Sequence, residues 1–180
     1  MKKLLKVGLI ILLIGVAGFF IAALAGPKNF EVSRTKTINA PAELVYEKVS
    51  KFSEWKSWSP WIAIDPTQKT TIEGEEGELD CKYSWESENE EVGNGSMTIT
   101  AYQLNKEIQM DLDFTAPFEA HNKSGFTLKK SGEMNTELTW YVSGDFPFMA
   151  RPFMLMQDME KVIGSKFEEG LNTIAEKLEF

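Results

Sequence analysis

The sequence predicts an α+β fold in which a long C-terminal helix covers an antiparallel sheet, with a separate apolar helix at the N-terminus. From Pro152 to Leu178, apolar residues recur at steps of three and four, as on one face of an α-helix. From Thr70 to Val142, apolar and polar residues largely alternate, which indicates strands with one buried face. Residues 7–25 carry no charge and are long enough to cross a bilayer core of about 30 Å.

The N-terminal segment predicts a membrane location. Residues 1–6 form a basic end, residues 7–25 a transmembrane anchor and residues 26–29 a linker. Because lysines next to a span stay in the cytoplasm, we expect a single-pass protein with its domain on the extracytoplasmic side. The alternative is cleavage near Ala25, after the small-x-small sequence Ala23-Leu24-Ala25, which would release a secreted or periplasmic domain. The apolar stretch exceeds the usual length in signal peptides, which favours an uncleaved anchor.

Composition excludes several classes of partner. The formal charge is −8, and because residues 1–26 contain three lysines and no acidic residue, the remaining 154 residues carry −11. Such an acidic domain repels phosphate backbones, so we expect no nucleic acid partner. The single Cys81 forms no internal disulfide, and the sequence has no cysteine–histidine cluster that would bind zinc. The sequence thus predicts neither a metal nor a cofactor.

Residues 30–180 are predicted to form one domain. The alternation in Phe30–Ile38 predicts a first strand, and Asn39-Ala40-Pro41 ends it and begins a short helix. Tryptophans spaced three residues apart from Trp55 onward predict a second short helix, which ends before Asp65-Pro66. Two short helices therefore follow the first strand.

About six further strands are expected, with a break at Ala116-Pro117, so the sheet has six or seven strands in total. Short turns between consecutive strands imply an antiparallel meander. The C-terminal helix is the only long element left to cover its dry face. The dry face is unusually rich in large side chains: Tyr83, Trp85, Met97, Met110, Phe114, Phe126 and Trp140. The other apolar residues that alternate along the predicted strands, and so share this face, are Leu79, Cys81, Ile99, Ala101, Ile108, Leu112, Leu128, Leu138 and Val142.

Several motifs occur in a familiar order: Thr37-Ile-Asn-Ala-Pro41, Glu43, Val45–Val49, Trp55-Lys-Ser-Trp58-Ser-Pro-Trp61, Asp65-Pro66, Trp85, Gly93-Asn-Gly95, Leu138-Thr-Trp140, Met159–Gly164 and Phe167–Leu171. In this order and number they resemble the SRPBCC or START-type helix-grip superfamily, and more narrowly its polyketide cyclase/dehydrase-like branch. The resemblance covers residues 30–180. It implies a curved sheet wrapped around the C-terminal helix and, between them, a hydrophobic cavity for lipids, sterols, polyketides or similar molecules. Members include carriers and enzymes, so the fold does not define a reaction.

The predicted ligand-binding residues come from the dry face, the tryptophan trio and the helix stripe: Trp55, Trp58, Trp61, Tyr83, Trp85, Met97, Met110, Phe114, Phe126, Trp140, Met156, Ile163, Gly164 and Phe167. The trio either plugs the core or lies at a cavity entrance. The methionines either fill the core or line a pocket. Glycine inside a helix costs about 1 kcal/mol relative to alanine. At Gly164 and Gly170 this cost is offset either by close approach of a strand or by space for a ligand.

No catalytic residue is predicted. Strand phase places His121, Asp111 and Asp113 on the wet face, and the acidic run between residues 86 and 91 is typical of a solvated turn. An enzyme would need polar groups that point into the cavity, for which strand phase selects Tyr83, Asn122, Ser124 and Thr136.

Three functions remain open at this point. The leading hypothesis is a membrane-tethered module that binds or transports a hydrophobic small molecule. The second is a cyclase, dehydratase or hydrolase that acts on a hydrophobic substrate. The third is an envelope protein-interaction domain, which would use an exposed apolar patch around Phe146, Phe148 and Phe153.

Overall fold

The computed structural model describes residues 2–116 and 119–178. The first residue of the predicted basic end, Met1, and the last residue of the predicted domain, Phe180, lie outside the described residues. Pro117, which belongs to the predicted break in the strands, also lies outside them. The described chain forms a seven-stranded antiparallel sheet, a long C-terminal helix and an apolar N-terminal helix. The predicted α+β helix-grip architecture is confirmed.

Five α-helices and one 3-10 helix accompany the strands in the described ranges. The helices are α1 (Lys2–Ala25), α2 (Ala42–Ser50), the 3-10 helix (Phe52–Ser57), α3 (Pro60–Ile64), α4 (Arg151–Met154) and α5 (Met159–Leu178). The strands are β1 (Asn29–Ile38), β2 (Lys69–Glu73), β3 (Lys82–Glu86), β4 (Asn94–Gln103), β5 (Glu107–Ala116), β6 (Ala120–Lys130) and β7 (Thr136–Asp145). Three short helices, α2, the 3-10 helix and α3, thus follow β1 where two were predicted, because the tryptophan segment divides into a 3-10 helix and α3.

The strand order is β1-β7-β6-β5-β4-β3-β2, so the first strand closes against the last. In that pair Asn29 faces Asp145 and Ile38 faces Thr136. The end of the sheet that carries Asn29 and Asp145 follows directly from α1, and we name it the proximal end. The opposite end, which contains the β4–β5 and β6–β7 turns, is the distal end. Consecutive pairing of β2 through β7 confirms the predicted meander.

Helix α5 packs along β1 and β7 rather than over the middle of the sheet. Its buried stripe contains Phe167, Leu171 and Ile174. Phe167 stacks on Trp140 of β7, with ring centroids 4.2 Å apart and an interplanar angle of 13°. On the solvent side, Arg34 of β1 forms 2.6 Å ion pairs with Glu160 and Glu168 of α5. These contacts leave β3 to β5 without a long helix above them.

The predicted 27-residue C-terminal helix is wrong in its first part, because the chain forms two helices there. Residues 155–158 separate α4 from α5. Asp158 caps the start of α5: its side chain accepts a 3.1 Å hydrogen bond from the Lys161 N–H, and its carbonyl oxygen accepts from the Val162 N–H. This is an N-cap, which satisfies amides that a continuous helix would have bonded internally. Met156 consequently leaves the predicted stripe and is 90% exposed.

The strand predicted from Leu79 onward begins later. Residues 74–81 form turns between β2 and β3, with positive φ at Gly74, Gly77 and Asp80. Leu79 therefore lies outside the sheet and is 54% exposed, whereas Cys81, Tyr83 and Trp85 are buried as expected. The alternation of apolar residues runs through this turn although the backbone pairing does not.

Within the described residues, one helical stretch, Leu5–Ala25, is long and apolar enough to cross a membrane. The end of α1 contacts the residues that follow β7. Ala23 and Gly26 are buried there, and a Cβ on Gly26 would lie 2.7 Å from the Arg151 carbonyl oxygen. The Phe146 N–H donates a 2.8 Å hydrogen bond to the Lys28 carbonyl oxygen. The linker is thus held against the domain.

Gly164 provides a test of the helix–strand contact. A Cβ at this position would overlap the Arg34 guanidinium, which Glu160 and Glu168 hold in place. We expect Gly164→Ala to lower the free energy of unfolding by about 1–3 kcal/mol through overpacking. In an Arg34→Ala background the same change should instead raise it by about 1 kcal/mol, because alanine is the better helix former.

The measurement is a double-mutant cycle on urea unfolding of the full chain in detergent micelles. An equal effect of Gly164→Ala in both backgrounds would show that Arg34 is not the group that requires glycine.

Candidate functional site

A cavity of about 470 Å³ lies between the proximal half of the sheet and α5. Its walls come from β1, β3 to β7, the tryptophan segment, the residues after β7 and the first half of α5. The lining residues are Phe30, Trp55, Ser59, Trp61, Ile62, Gln68, Tyr83, Trp85, Glu91, Val92, Met97, Leu112, Phe114, Ala120, Asn122, Ser124, Trp140, Val142, Asp145, Phe146, Pro147, Met154, Gln157, Met159, Val162, Ile163 and Phe167. The volume falls within the roughly 300–1,000 Å³ of small-molecule sites.

Most of the predicted ligand-binding residues come together around this cavity. Its lining contains Trp55, Trp61, Tyr83, Trp85, Met97, Phe114, Trp140, Ile163 and Phe167. Trp58, Met110, Phe126, Gly164 and Met156 are not part of the lining. Whether the lining residues bind a ligand stays a prediction.

Whether a dry-face residue lines the cavity or belongs to the filled core depends on its position along the strand. Met110 and Phe126 lie on the same sheet face as Phe114 but nearer the distal end, where they are almost completely buried. There Phe126 packs against Trp55 of the 3-10 helix, with ring centroids 6.0 Å apart, and α2 contacts β6. Met156 is excluded for a different reason, because it lies in the break before α5 and faces outward.

The tryptophan trio divides between the two roles considered for it. Trp58 is a core residue whose indole N–H donates a 3.0 Å hydrogen bond to the Lys48 carbonyl oxygen. The Trp55 N–H donates in the same way to Val49, at 3.0 Å, and its ring also reaches the cavity. Trp61 is half-buried and stands edge-on to Trp140, at 5.4 Å between ring centroids. Both N–H donors thus satisfy carbonyl groups at the end of α2, which fixes this wall.

The helix glycines permit close packing rather than providing space for a ligand. Gly164 lies against Arg34, as described above. At Gly170, a Cβ would lie 2.9 Å from the Trp140 ring and 3.2 Å from Pro60. Close approach, the first of the two alternatives considered, therefore explains both positions.

Three of the four polar residues selected by strand phase line the cavity. Asn122 and Ser124 are buried on β6, and the Ser124 hydroxyl donates a 2.9 Å hydrogen bond to the Tyr141 carbonyl oxygen. The Tyr83 hydroxyl is buried and has no hydrogen-bond partner among the described residues. Thr136 lies elsewhere, at the distal end, where its hydroxyl donates to the Ala40 carbonyl oxygen at 2.8 Å.

The charged residues of the lining are acidic. Glu91 and Asp145 are exposed at its edge, and the described lining contains no lysine, arginine or histidine. Burial raises the pKa of Tyr83 to about 12, so this phenol remains protonated at neutral pH and does not serve as a general base. The cavity therefore presents no cationic group to an anionic ligand.

The residues on the wet face stay away from the cavity, as predicted. His121 is 84% exposed and its Nδ1 lies 2.7 Å from the Asp113 carboxylate, which raises the His121 pKa. Asp111 forms an ion pair with Lys123. Among residues 2–116 and 119–178, no group of three or more histidine, cysteine or acidic side chains is placed to hold a metal ion.

Sequence reasoning missed part of the lining. Leu112 and Val142 were assigned to the dry face, so strand phase could have added them to the site. Phe146, Pro147 and Met154, by contrast, follow the last strand, and Phe30 of β1 stacks on Phe146 at 5.0 Å between ring centroids. No periodicity marks Phe146, Pro147 or Met154 as lining, because their positions depend on how the chain after β7 folds back beside α1.

A comparison with protein families finds one match over most of the chain. The sequence profile described as "Polyketide cyclase / dehydrase and lipid transport" matches residues 29–179. The match begins at β1 and leaves out α1. A comparison with curated proteins finds no match.

Solved structures share the fold at low sequence identity. The Aha1 dimer from Colwellia psychrerythraea has a TM-score of 0.60 at 14% identity and covers 84% of this chain and 97% of that one. A protein from Thermobifida fusca has a TM-score of 0.62 at 19% identity, with 82% and 92% covered. The major latex-like protein 151 of Panax ginseng has a TM-score of 0.58 at 10% identity, with 86% and 100% covered. At these identities the likeness concerns the fold alone.

The Tyr83 hydroxyl provides a test of the cavity wall. A buried hydroxyl without a partner costs about 1–3 kcal/mol, so Tyr83→Phe should raise the free energy of unfolding of the ligand-free protein by about 1 kcal/mol. Tyr102→Phe is the matched control, because Tyr102 is exposed and its hydroxyl donates to Glu78, and it should bring no gain. Urea unfolding measures both, and a loss of stability in Tyr83→Phe would show that the hydroxyl is satisfied.

Proposed function

Because the chain belongs to the polyketide cyclase/dehydrase and lipid transport family, we propose that it binds a hydrophobic small molecule, lipid-like or polyketide-like, in the cavity between sheet and α5. The observation that carries this proposal is the cavity itself. Protein interiors normally pack as densely as organic crystals and leave few voids larger than a water molecule. A space of about 470 Å³ bounded by Trp85, Phe114 and Phe167 is therefore suited to an apolar guest.

The lining limits the chemistry of that guest. Its body is expected to be apolar, because aromatic and aliphatic side chains make up most of the wall. Its polar end is expected to be neutral or cationic, since Glu91 and Asp145 are the charged residues of the described lining. Asn122 offers amide hydrogen-bonding groups to a polar atom. A free carboxylate or phosphate would find no cationic partner there.

Binding, rather than catalysis, fits the titratable groups of the described lining. Tyr83 is held in its neutral form, and His121 lies on the opposite face of the sheet. General acid–base catalysis needs a group whose pKa lies near the working pH and whose position is next to the substrate. The buried phenol of Tyr83 has too high a pKa for this role and His121 lies away from the cavity, so the proposal assigns no reaction.

We further propose that α1 tethers this module to a membrane, with the basic N-terminus in the cytoplasm and the acidic domain outside. The length and apolar composition of Leu5–Ala25 support a span. The burial of Ala23 and Gly26 against the chain after β7 supports a helix that is retained rather than cleaved. Lys3 and Lys6 supply the positive flank that favours this orientation.

Photo-crosslinking tests the binding site. Full-length protein in phosphatidylcholine nanodiscs is irradiated with a diazirine-bearing diacylglycerol, which is neutral, or with a diazirine-bearing fatty acid, which is anionic. We expect the diacylglycerol to label peptides of β3, β4 and β5, and the fatty acid to label them at least fivefold less. Peptide mass spectrometry locates the labels.

A pair of variants makes the test specific. Leu112→Trp places a larger side chain in the cavity and should reduce labelling of these strands at least fivefold, whereas Leu104→Trp, in the exposed β4–β5 turn, should leave it unchanged. Labels confined to α1 and α4 would reflect contact with bulk lipid and would overturn the proposed binding site.

A further inference from the structure

The residues that connect β7 to α5 form an exposed apolar surface at the proximal end of the sheet. In this segment, residues 146–157, seven of twelve residues are phenylalanine, methionine or leucine, and none is acidic. The exposed members are Met149, Phe153, Leu155 and Met156, with Phe153 exposed to 61%. An apolar surface of this kind on a soluble face would favour aggregation, so it calls for an apolar environment. We name residues 146–157 the α4 segment.

The α4 segment is in contact with the apolar part of α1. The Phe153 ring lies 6.2 Å from the Phe19 ring, and the Phe148 ring lies 6.1 Å from the Phe20 ring, measured between centroids. Phe19 and Phe20 are six and five residues before Ala25, the end of the apolar stretch. At 1.5 Å per residue they lie about 8–9 Å inside that end along the helix axis.

We infer that the α4 segment inserts into the leaflet from which α1 emerges, so that the cavity opens onto the bilayer surface. This inference rests on the proposed membrane tether. If α1 spans the bilayer, the residues that pack against Phe19 and Phe20 lie below the level at which the helix leaves the apolar layer. Interfacial segments insert their apolar side chains about 5–10 Å deep, which matches this position.

The one charged residue of the segment is compatible with the interface. The Arg151 guanidinium lies 5.7 Å from the centre of the Phe148 ring, and its Nε donates a 3.2 Å hydrogen bond to the Phe146 carbonyl oxygen. Its remaining N–H donors can reach lipid phosphates while its aliphatic stem stays in the apolar layer, as is usual for arginine at membrane surfaces. A protein partner would have to cover Phe153 at the same depth and thus within the membrane.

The position of the segment has a consequence for the cavity. Phe146, Pro147, Met154 and Gln157 belong both to the α4 segment and to the cavity lining. Gln157 is also exposed, so the cavity lining reaches the protein surface within the α4 segment. A hydrophobic molecule can therefore pass between the leaflet and the cavity without crossing bulk water.

Site-directed spin labelling of the full chain in phosphatidylcholine liposomes tests this inference. Cys81, the only native cysteine, is fully buried and does not compete for the label. Met156→Cys reports on the α4 segment, and Met134→Cys, an exposed methionine in the β6–β7 turn at the distal end, is its matched control. Ile14→Cys reports on the middle of α1.

We expect the label at residue 156 to collide mainly with oxygen, which is concentrated in the bilayer, and rarely with a water-soluble nickel complex. The ratio of oxygen collisions to nickel collisions should be at least tenfold higher at residue 156 than at residue 134. Water-like values at both residues, with a lipid-exposed label at residue 14, would overturn the docking inference and leave the tether intact. A water-exposed label at residue 14 would overturn the tether and the docking together. Protection of residue 156 from both reagents would indicate a protein partner and would also overturn docking in lipid.

Leu155→Cys is a second reporter on the same segment, and because its native side chain is exposed, the change should not affect folding. Its label should show the same preference for oxygen. A water-like label at residue 155 beside a lipid-exposed label at residue 156 would contradict insertion of the segment as a unit.

Discussion

Trp140 of β7 and Phe167 of α5 stack face to face, and this contact joins the sheet to the C-terminal helix. Trp58 and Phe126 pack against the Trp140 ring, at 5.3 Å and 5.1 Å between centroids. Aromatic pairs of this kind add about 0.5–1.5 kcal/mol each beyond the area they bury. On the distal side of Trp140 the aromatic residues form a filled core, and on the proximal side they form the wall of the cavity.

The cavity exists because α5 does not lie over the centre of the sheet. The ion pairs of Arg34 and the packing of Gly164 hold the helix along β1, and Gly170 lets it approach Trp140 and Pro60. Strands β3 to β5 nevertheless present large side chains such as Trp85 and Phe114 to the same interior. These side chains meet the shorter elements only in part, so the space between them and α5 remains open.

The proximal end of the sheet combines three features that have no sequence relationship to one another. The cavity lies in that half of the sheet, α1 joins the domain there, and the α4 segment exposes its apolar residues there. Gly26 allows α1 to lie directly against the Arg151 backbone, which links the proposed tether to the wall of the cavity. Of the apolar patch expected around Phe146, Phe148 and Phe153, Phe146 is buried, and the proposed insertion assigns Phe148 and Phe153 to lipid rather than to a protein partner.

The periodicity of apolar residues in the sequence was sufficient to predict the helix and strands of the domain. Alternation marked the strands, and the helical stripe of Phe167, Leu171 and Ile174 marked α5, because both patterns record which side of an element is buried. The same patterns could not tell cavity from core. Met110 and Phe126 have the same strand phase as Phe114, and only their burial at the distal end, where α2 and the 3-10 helix pack, distinguishes them.

The break at residues 155–158 was likewise hidden, because Met156 continues the apolar spacing while Asp158 caps a new helix that begins at Met159. Which side of each element is buried is a local property of the chain. Whether that buried side meets another side chain or an open space depends on elements that are distant in sequence. The cavity is therefore decided by the tertiary structure.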